Sequence, residues 1–451
     1  MIRGDLNGVD VQTAYGLAAR VTAPRWLDSL NPTCFLHQVE VTPACVKPLA
    51  DTSGEKQFNI VMGAYSPWYF FGMGVPTLGL SGRGTLYLMR ALTALVCAAL
   101  LASAFASAQR LGRWAVIGVF AALTPMVLYL GGVINPNGIE IASAIVVWIS
   151  AAALARANAI DERLLARTAI AYAICVNTRA LSLPLASIAV VVPILFLAGR
   201  ERWRAIAALR RFRLWVGVAA VGIVFELGWS LYEGVKDDLL PKVSFTFFDG
   251  LRLTWTVFVE AIATFGWTDV RIPGLAVLWL VVFVVLVALA LSYATLREGT
   301  VLVGLIVAAV VLPIFVRMLQ LPRLHAVWLG RYGLPLSSGV PILAGVLIAT
   351  RLTRPTRVTQ IGSVVLPAGL AVGQVVAFWV TARRYGVGAS GRVLYFVDPI
   401  WSPPLSSVLP VVAFAIAVGA LAYRSSTAGP PRPPPAEHPA AEAELVHADG
   451  R

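Results

Sequence analysis

Apolar runs recur along this chain between residues 84 and 423, each closed by a short polar stretch. A membrane-crossing helix needs about 20 mostly apolar residues. That ruler predicts spans near 84–107, 114–132, 138–155, 168–177, 184–199, 214–233, 273–296, 299–316, 334–350, 360–382 and 405–423. The run at 168–177 is short and stops at Asn177-Thr178-Arg179, the pattern of a broken helix beside a cavity. The expected fold is an all-α integral membrane protein with about eleven transmembrane helices, plus extracytoplasmic loops and interfacial helices. It divides into an extracytoplasmic loop with an interfacial segment (1–83), a multi-span domain (84–423) and a tail (424–451). Six prolines among Ala, Glu and His make that tail unable to bury a core, so disorder is expected there.

Composition agrees. Hydrophobic residues make up 58% of the 451 and charged residues only 13%. A soluble protein carries about 25% charged residues, so this chain could not cover its core with polar surface. The net charge of +13 first suggests nucleic acid, but the arginines follow the loops instead. Loops 108–113, 156–167, 200–213, 297–298 and 351–359 hold 15 Arg in 43 residues. The alternate loops (133–138, 178–183, 234–272, 317–333, 383–404) hold 11 basic residues in 90. The positive-inside rule puts the first set in the cytoplasm, with the C-terminal tail. The basic run at 200–213 reads as an amphipathic collar on anionic lipid, and nucleic acid is not needed as a partner.

This orientation leaves residues 1–83 outside with no preceding hydrophobic signal, so a first helix upstream of Met1 is expected, twelve in all. On that oxidising side Cys34 and Cys45 are expected to form a disulfide. Cys97 and Cys175 lie in apolar helix as packed residues. The run Tyr65-Ser66-Pro67-Trp68-Tyr69-Phe70-Phe71 is either an interfacial segment or an aromatic belt before the first span.

Polar residues at membrane depth are candidates for function. Asn135-Pro136-Asn137-Gly138-Ile139-Glu140 opens a helix; Asn137 and Glu140 either cap it or face a cavity as hydroxyl-binding group or base. Arg179, alone in a tight outer loop, suits a phosphate or carboxylate. Arg331-Tyr332 closes a loop with Arg317, Arg323 and His325 and no acid, either an anion site or a set of headgroup anchors. In the longest outer loop Phe265-Gly266-Trp267-Thr268-Asp269 reads as a re-entrant or interfacial turn beside the cavity. Glu226 and Glu233 are each either an outer arginine's partner or part of a sugar site. No Cys/His cluster suggests a metal, and Walker A, GxGxxG, GxSxG and HExxH sequences are absent.

Taken in order, Tyr65-Ser66-Pro67-Trp68-Tyr69, Asn135 to Glu140, Arg179, Phe265 to Asp269 and Gly330-Arg331-Tyr332-Gly333-Leu334-Pro335 resemble the bacterial membrane-protein family catalogued as domain of unknown function 2142, especially its actinobacterial members. The resemblance covers residues 5–425. That family is similar to multi-span glycosyltransferases (GT-C) that use polyprenyl-phosphate sugars. The resemblance implies transfer of a sugar from a polyprenyl phosphate to a cell-envelope acceptor at the outer face of the plasma membrane. A lipid-linked sugar donor is then the expected ligand, with no cofactor assigned and a divalent metal left open. It assigns Arg179, Arg331, Tyr332, Asn135, Asn137 and Trp267 to substrate or phosphate binding, and Glu140 and Asp269 to catalysis. The larger class carries an acidic motif, often Asp-Glu, in its first outer loop. No such pair occurs before residue 84, leaving Asp5 and Asp10 as weak stand-ins. The rival readings are a transporter or flippase of an envelope lipid or glycan, and a non-catalytic assembly partner.

Overall fold

The computed structural model describes residues 9–429 apart from 14–15, 30–33, 47–53, 61–64, 80–81, 234–243, 325–327 and 405. Near the start, β1 (Val9–Thr13), β2 (Gly16–Pro24) and β3 (Glu55–Ile60) form an antiparallel sheet, with Val9 opposite Arg20 and Ala19 opposite Ile60. This sheet is an addition to the all-α expectation. The aromatic run at 65–71, read as an interfacial segment or an aromatic belt, contains the start of a short helix, α1 (Pro67–Gly74), opened by Pro67.

The membrane region is built from α2 (Gly82–Ala108), α3 (Arg113–Ala122), α4 (Pro125–Gly131), α5 (Pro136–Arg156), α6 (Glu162–Val176), α7 (Ser182–Val191), α8 (Arg200–Ala207) and α9 (Phe212–Glu233). It continues through α10 (Phe247–Ala263), α11 (Pro273–Tyr293), α12 (Leu296–Leu324), α13 (Leu334–Ser337), α14 (Gly339–Arg351), α15 (Arg357–Val387) and α16 (Leu409–Thr427). Among the described residues eight helices are long and apolar enough to cross a membrane, or nine if α3 and α4 count as one bent span, rather than eleven. The difference has local causes. α6 is 15 residues long and carries Arg163 and Arg167 in its opening turns. α7 gives way at Val192–Leu197, around Pro193, to a π-helical turn.

The predicted span at 114–132 is broken, with α3 and α4 meeting at 70°. Thr124 caps α4 by accepting the Val127 N–H, and Pro125 follows it. The carbonyls released at this corner are not left bare. Gln374 of α15 donates to Leu123 O, and Trp279 Nε1 of α11 donates to Ala121 O at 3.1 Å. A break at membrane depth is tolerated when protein groups satisfy it this way.

Helix α5 is the centre of the bundle, buried along its whole length. Its alanines and serines let neighbours approach closely, and Ser107 of α2 lies 3.0 Å from Ser150. The loops predicted to share the arginine-rich side do meet at one end. Arg110 pairs with Asp161 at 2.9 Å, while Glu298 is held by Arg156 and by Arg351 at 2.8 Å. Arg202 donates to Leu154 O and Ala157 O, closing the end of α5. Loops 133–138, 178–183 and 330–333 come together at the opposite end, where the candidate residues lie.

Candidate site at the arginine-poor end

Helix α5 opens on Asn135, whose side chain accepts the Asn137 N–H at 2.9 Å, with Pro136 at the first helical position. Asn135 is thus the cap, in place of Asn137. That frees the Asn137 amide to donate to Glu140 Oε2 at 2.8 Å. The other carboxylate oxygen accepts from Ser182 Oγ at 2.6 Å, and Arg179 Nη1 stands 3.8 Å from Oε2. Glu140 is only 1% exposed, so its charge depends on these partners and on the positive end of α5.

Arg179 is positioned by the turn between α6 and α7, where Thr178 donates to Cys175 O at 2.6 Å and lies 3.1 Å from Ser182 Oγ. Its guanidinium carbon stands 3.8 Å from the centre of the Tyr332 ring and 5.6 Å from that of Tyr65. Arg331 reaches the same Tyr332 ring at 5.6 Å, and its Nε has no hydrogen-bond partner among the described residues. Two cations therefore approach one aromatic ring, an arrangement favourable to each when desolvated. Glu140 is the acid paired with Arg179. Burial pushes the Tyr65 phenol up from its ordinary value against the opposing pull of Arg179, so it stays neutral.

Gly330 explains how Arg331 is delivered. A side chain there would run into Val257 O and the Ala261 N–H of α10, so only glycine admits the approach. The Gly330 N–H then donates to Glu260 Oε2 at 3.1 Å.

Asp269 sits in a second cluster. Phe265 to Asp269 is a hairpin turn between β4 (Thr264–Phe265) and β5 (Val270–Arg271), with Gly266 and Thr268 at positive φ. Asp269 accepts the Trp267 N–H at 3.1 Å and pairs with Arg384 at 3.0 Å, both charges almost fully buried. Arg384 also donates to Val41 O at 2.8 Å, Gln38 O at 2.9 Å and Phe35 O at 3.3 Å. Those carbonyls belong to the loop closed by the Cys34–Cys45 disulfide. Glu40 of that loop accepts from Ser390 N and Oγ, which hold its carboxyl below the ordinary value of 4.5. The Trp267 side chain is half exposed. Tyr129 stands between the clusters, within electrostatic reach of Asp269 and Arg331.

The structure thus brings Glu140, Asn137, Arg179, Arg331 and Tyr332 together and sets Asp269 and Trp267 apart. Arg317 lies over the Phe245 ring at 4.6 Å. Asp5 and His325 lie outside the described residues, and Asp10 falls in β1. Among the described residues no three His, Cys, Asp or Glu side chains group as a metal site. Ser182 enters the site without having been singled out, and Tyr65, read only as part of an aromatic run, enters it beside Arg179. The second Arg-Tyr pair, Arg384-Tyr385, was the available signal for the Asp269 partner.

Beside the Arg179 turn an apolar groove of about 820 Å³ opens between α1, α6 and α9. Trp68, Ile139, Asn177, Thr178 and Phe225 line one end and Arg213 the other. Along α9 that is about 18 Å at 1.5 Å per residue.

A family model described as predicted membrane protein (DUF2142) matches residues 8–340. No curated protein matches the chain.

Proposed function

The chain belongs to the DUF2142 family of predicted membrane proteins, and from that premise we propose that it is a membrane glycosyltransferase, GT-C-like, of the cell envelope. It takes a sugar from a polyprenyl-phosphate donor and passes it to an envelope acceptor at the outer face of the plasma membrane. One observation carries this reading: a pair of arginines on one tyrosine, one of them paired with Glu140, stands beside an apolar groove. A hydrocarbon chain suits the groove, and a phosphate suits the surplus positive charge. The acceptor hydroxyl attacks the anomeric carbon, the bond from that carbon to the phosphate oxygen breaks, and the polyprenyl phosphate leaves with the electron pair. Arg179 and Arg331 meet the charge that develops on it, and a base takes the hydroxyl proton.

The two acids first considered for catalysis take other parts in this reading. Glu140 fixes Arg179, and Asp269 fixes Arg384 with the disulfide loop. Both are positioning residues. The arginine distribution and the Cys34–Cys45 disulfide at the same end as the site support an outward-facing site and a cytoplasmic C-terminus.

A second reading, a carrier of the same lipid, is favoured by the groove's extent, since its lining reaches Arg213 at the arginine-rich end. Purified protein in vesicles distinguishes them. Release of free polyprenyl phosphate from a sugar-loaded donor is expected of the transferase. Arg179→Ala or Arg331→Ala should cut it by about 10²-fold or more. Movement of the intact lipid without bond cleavage would establish the carrier and end the transferase reading.

A further inference from the structure

Side-chain atoms buried without a hydrogen-bond partner are uncommon in native proteins, and each asks for an explanation. Three of them lie near the groove: Asn177 Oδ1, whose residue lines it, and Ser66 Oγ and Glu226 Oε2, whose residues stand close in sequence to the lining residues Trp68 and Phe225. All three residues are more than nine-tenths buried. The Asn177 amide donates both to Ala173 O at 2.8 Å and to Gly222 O at 3.1 Å, which fixes its oxygen in place. Glu226 stands one helical turn beyond Gly222 on α9. Its Oε1 accepts from Ser230 at 3.2 Å, and the Ser66 hydroxyl stands beside the carboxylate. Neighbouring residues tie this trio to the groove and the arginines. Tyr65, before Ser66, faces Arg179, and Trp68 packs on Phe225 with ring centres 5.5 Å apart.

These atoms are of one kind. The Asn177 and Glu226 oxygens are acceptors, and the Ser66 hydroxyl can act either way. Acceptors cannot bind a phosphate, which offers acceptors of its own, and no arginine or lysine among the described residues pairs with Glu226. Tyr69 of α1 and Tyr172 and Cys175 of α6 are titratable, α6 carries Glu162, Arg163 and Arg167 in its opening turns, and Arg179 is engaged by Glu140 and Tyr332. Neutral hydroxyl groups are the complementary partner. We infer that Ser66, Asn177 and Glu226 form a subsite for the hydroxyls of a sugar head, beside the arginines that take its phosphate. Glu226, the acid there without a cation, accepts the proton of a hydroxyl that it touches. This inference rests on the lipid-phosphate reading above and adds to it the sugar contacts and the missing proton acceptor.

The test uses the full chain in lipid nanodiscs, with dicyclohexylcarbodiimide as the carboxyl label and mass spectrometry to read modification at Glu226. Two ligands are compared, bare undecaprenyl phosphate and undecaprenyl-phosphate mannose, with retained lipid counted in the same samples. Glu226 should label in the ligand-free protein. The mannosyl lipid should protect it about tenfold and the bare lipid hardly at all, the ratio expected for a hydrogen bond to a charged group. Glu226→Gln should retain bare lipid as the wild type does, showing an intact fold, and lose the preference for the mannosyl form. Both lipids retained with labelling undiminished would overturn the subsite and leave the phosphate reading standing. Retention of neither lipid would overturn both. Protection by the mannosyl lipid without sugar transfer to any acceptor would uphold the subsite and end the transferase reading.

Discussion

Arg179 lies over Tyr332 with its guanidinium carbon 3.8 Å from the ring centre, while Glu140 holds its Nη1 at the same distance. A buried acid and an aromatic face thus fix one cation from two sides. Removing one member of such a pair strands the other charge away from water. Glu140→Ala is therefore expected to cost about 3–5 kcal/mol, read as a large fall in thermal midpoint in detergent. Glu140→Ala combined with Arg179→Ala should cost clearly less than the two single losses added together.

Tyr332 serves two arginines through its ring and not its hydroxyl. Tyr332→Phe should leave polyprenyl phosphate binding close to wild type. Tyr332→Leu should weaken it by about tenfold, the worth of a desolvated cation–π contact of 1–2 kcal/mol. Titration of the labelled lipid against both variants distinguishes ring from hydroxyl.

Opening the Cys34–Cys45 loop should loosen its carbonyls from Arg384 and expose Asp269. A short closed loop is worth about 2–3 kcal/mol. Treatment with dithiothreitol, or Cys34→Ser with Cys45→Ser, should lower the thermal midpoint and speed hydrogen exchange in residues 34–45. Unchanged exchange would show that Arg384 alone suffices to hold the loop.

Acid should act on the same loop. The Glu40 carboxyl is depressed by its hydrogen bonds from Ser390, so the folded form binds its proton less readily than the unfolded form. Its stabilising contribution is present above pH 4.5 and is lost as pH falls through the depressed value. Hydrogen exchange at 388–391 should rise on acidification below pH 4.5, and Glu40→Gln should show the raised rate already at neutral pH.

Much of this was legible in the residues. Long apolar runs located α2, α5, α9, α11, α12, α15 and α16, because a bilayer imposes length and apolarity on each span separately. Loop arginines sorted the two ends, and that sorting brought Glu140, Arg179 and Arg331 to one place although the chain separates them. What escaped depends on pairings that leave no local mark. Arg384 and Asp269 lie 3.0 Å apart in space and far apart in sequence. Helix α10 was hidden in a supposed loop because Asp249, Arg252 and Glu260 interrupt its apolar face. Its capping box, Thr246 with Asp249, was the readable start signal. The break before Pro125 was marked by Thr124-Pro125, but an apolar ruler does not register a cap. Glu226 was marked in the sequence as an arginine's partner or part of a sugar site, but the Asn177 acceptor emerged only when its neighbours were in place.

The corner where α3 meets α4 has a mechanical corollary. With Gln374 and Trp279 spoken for by its carbonyls, that elbow is braced like masonry and should not flex when a long-chain lipid is admitted. Yielding then falls to α9, a plank that faces the bilayer along most of its length and leans chiefly on α6. A covalent strut between α6 and α9 is expected to stop undecaprenyl phosphate from entering, whereas one bridging the elbow should not; free entry past the first strut would move the doorway elsewhere.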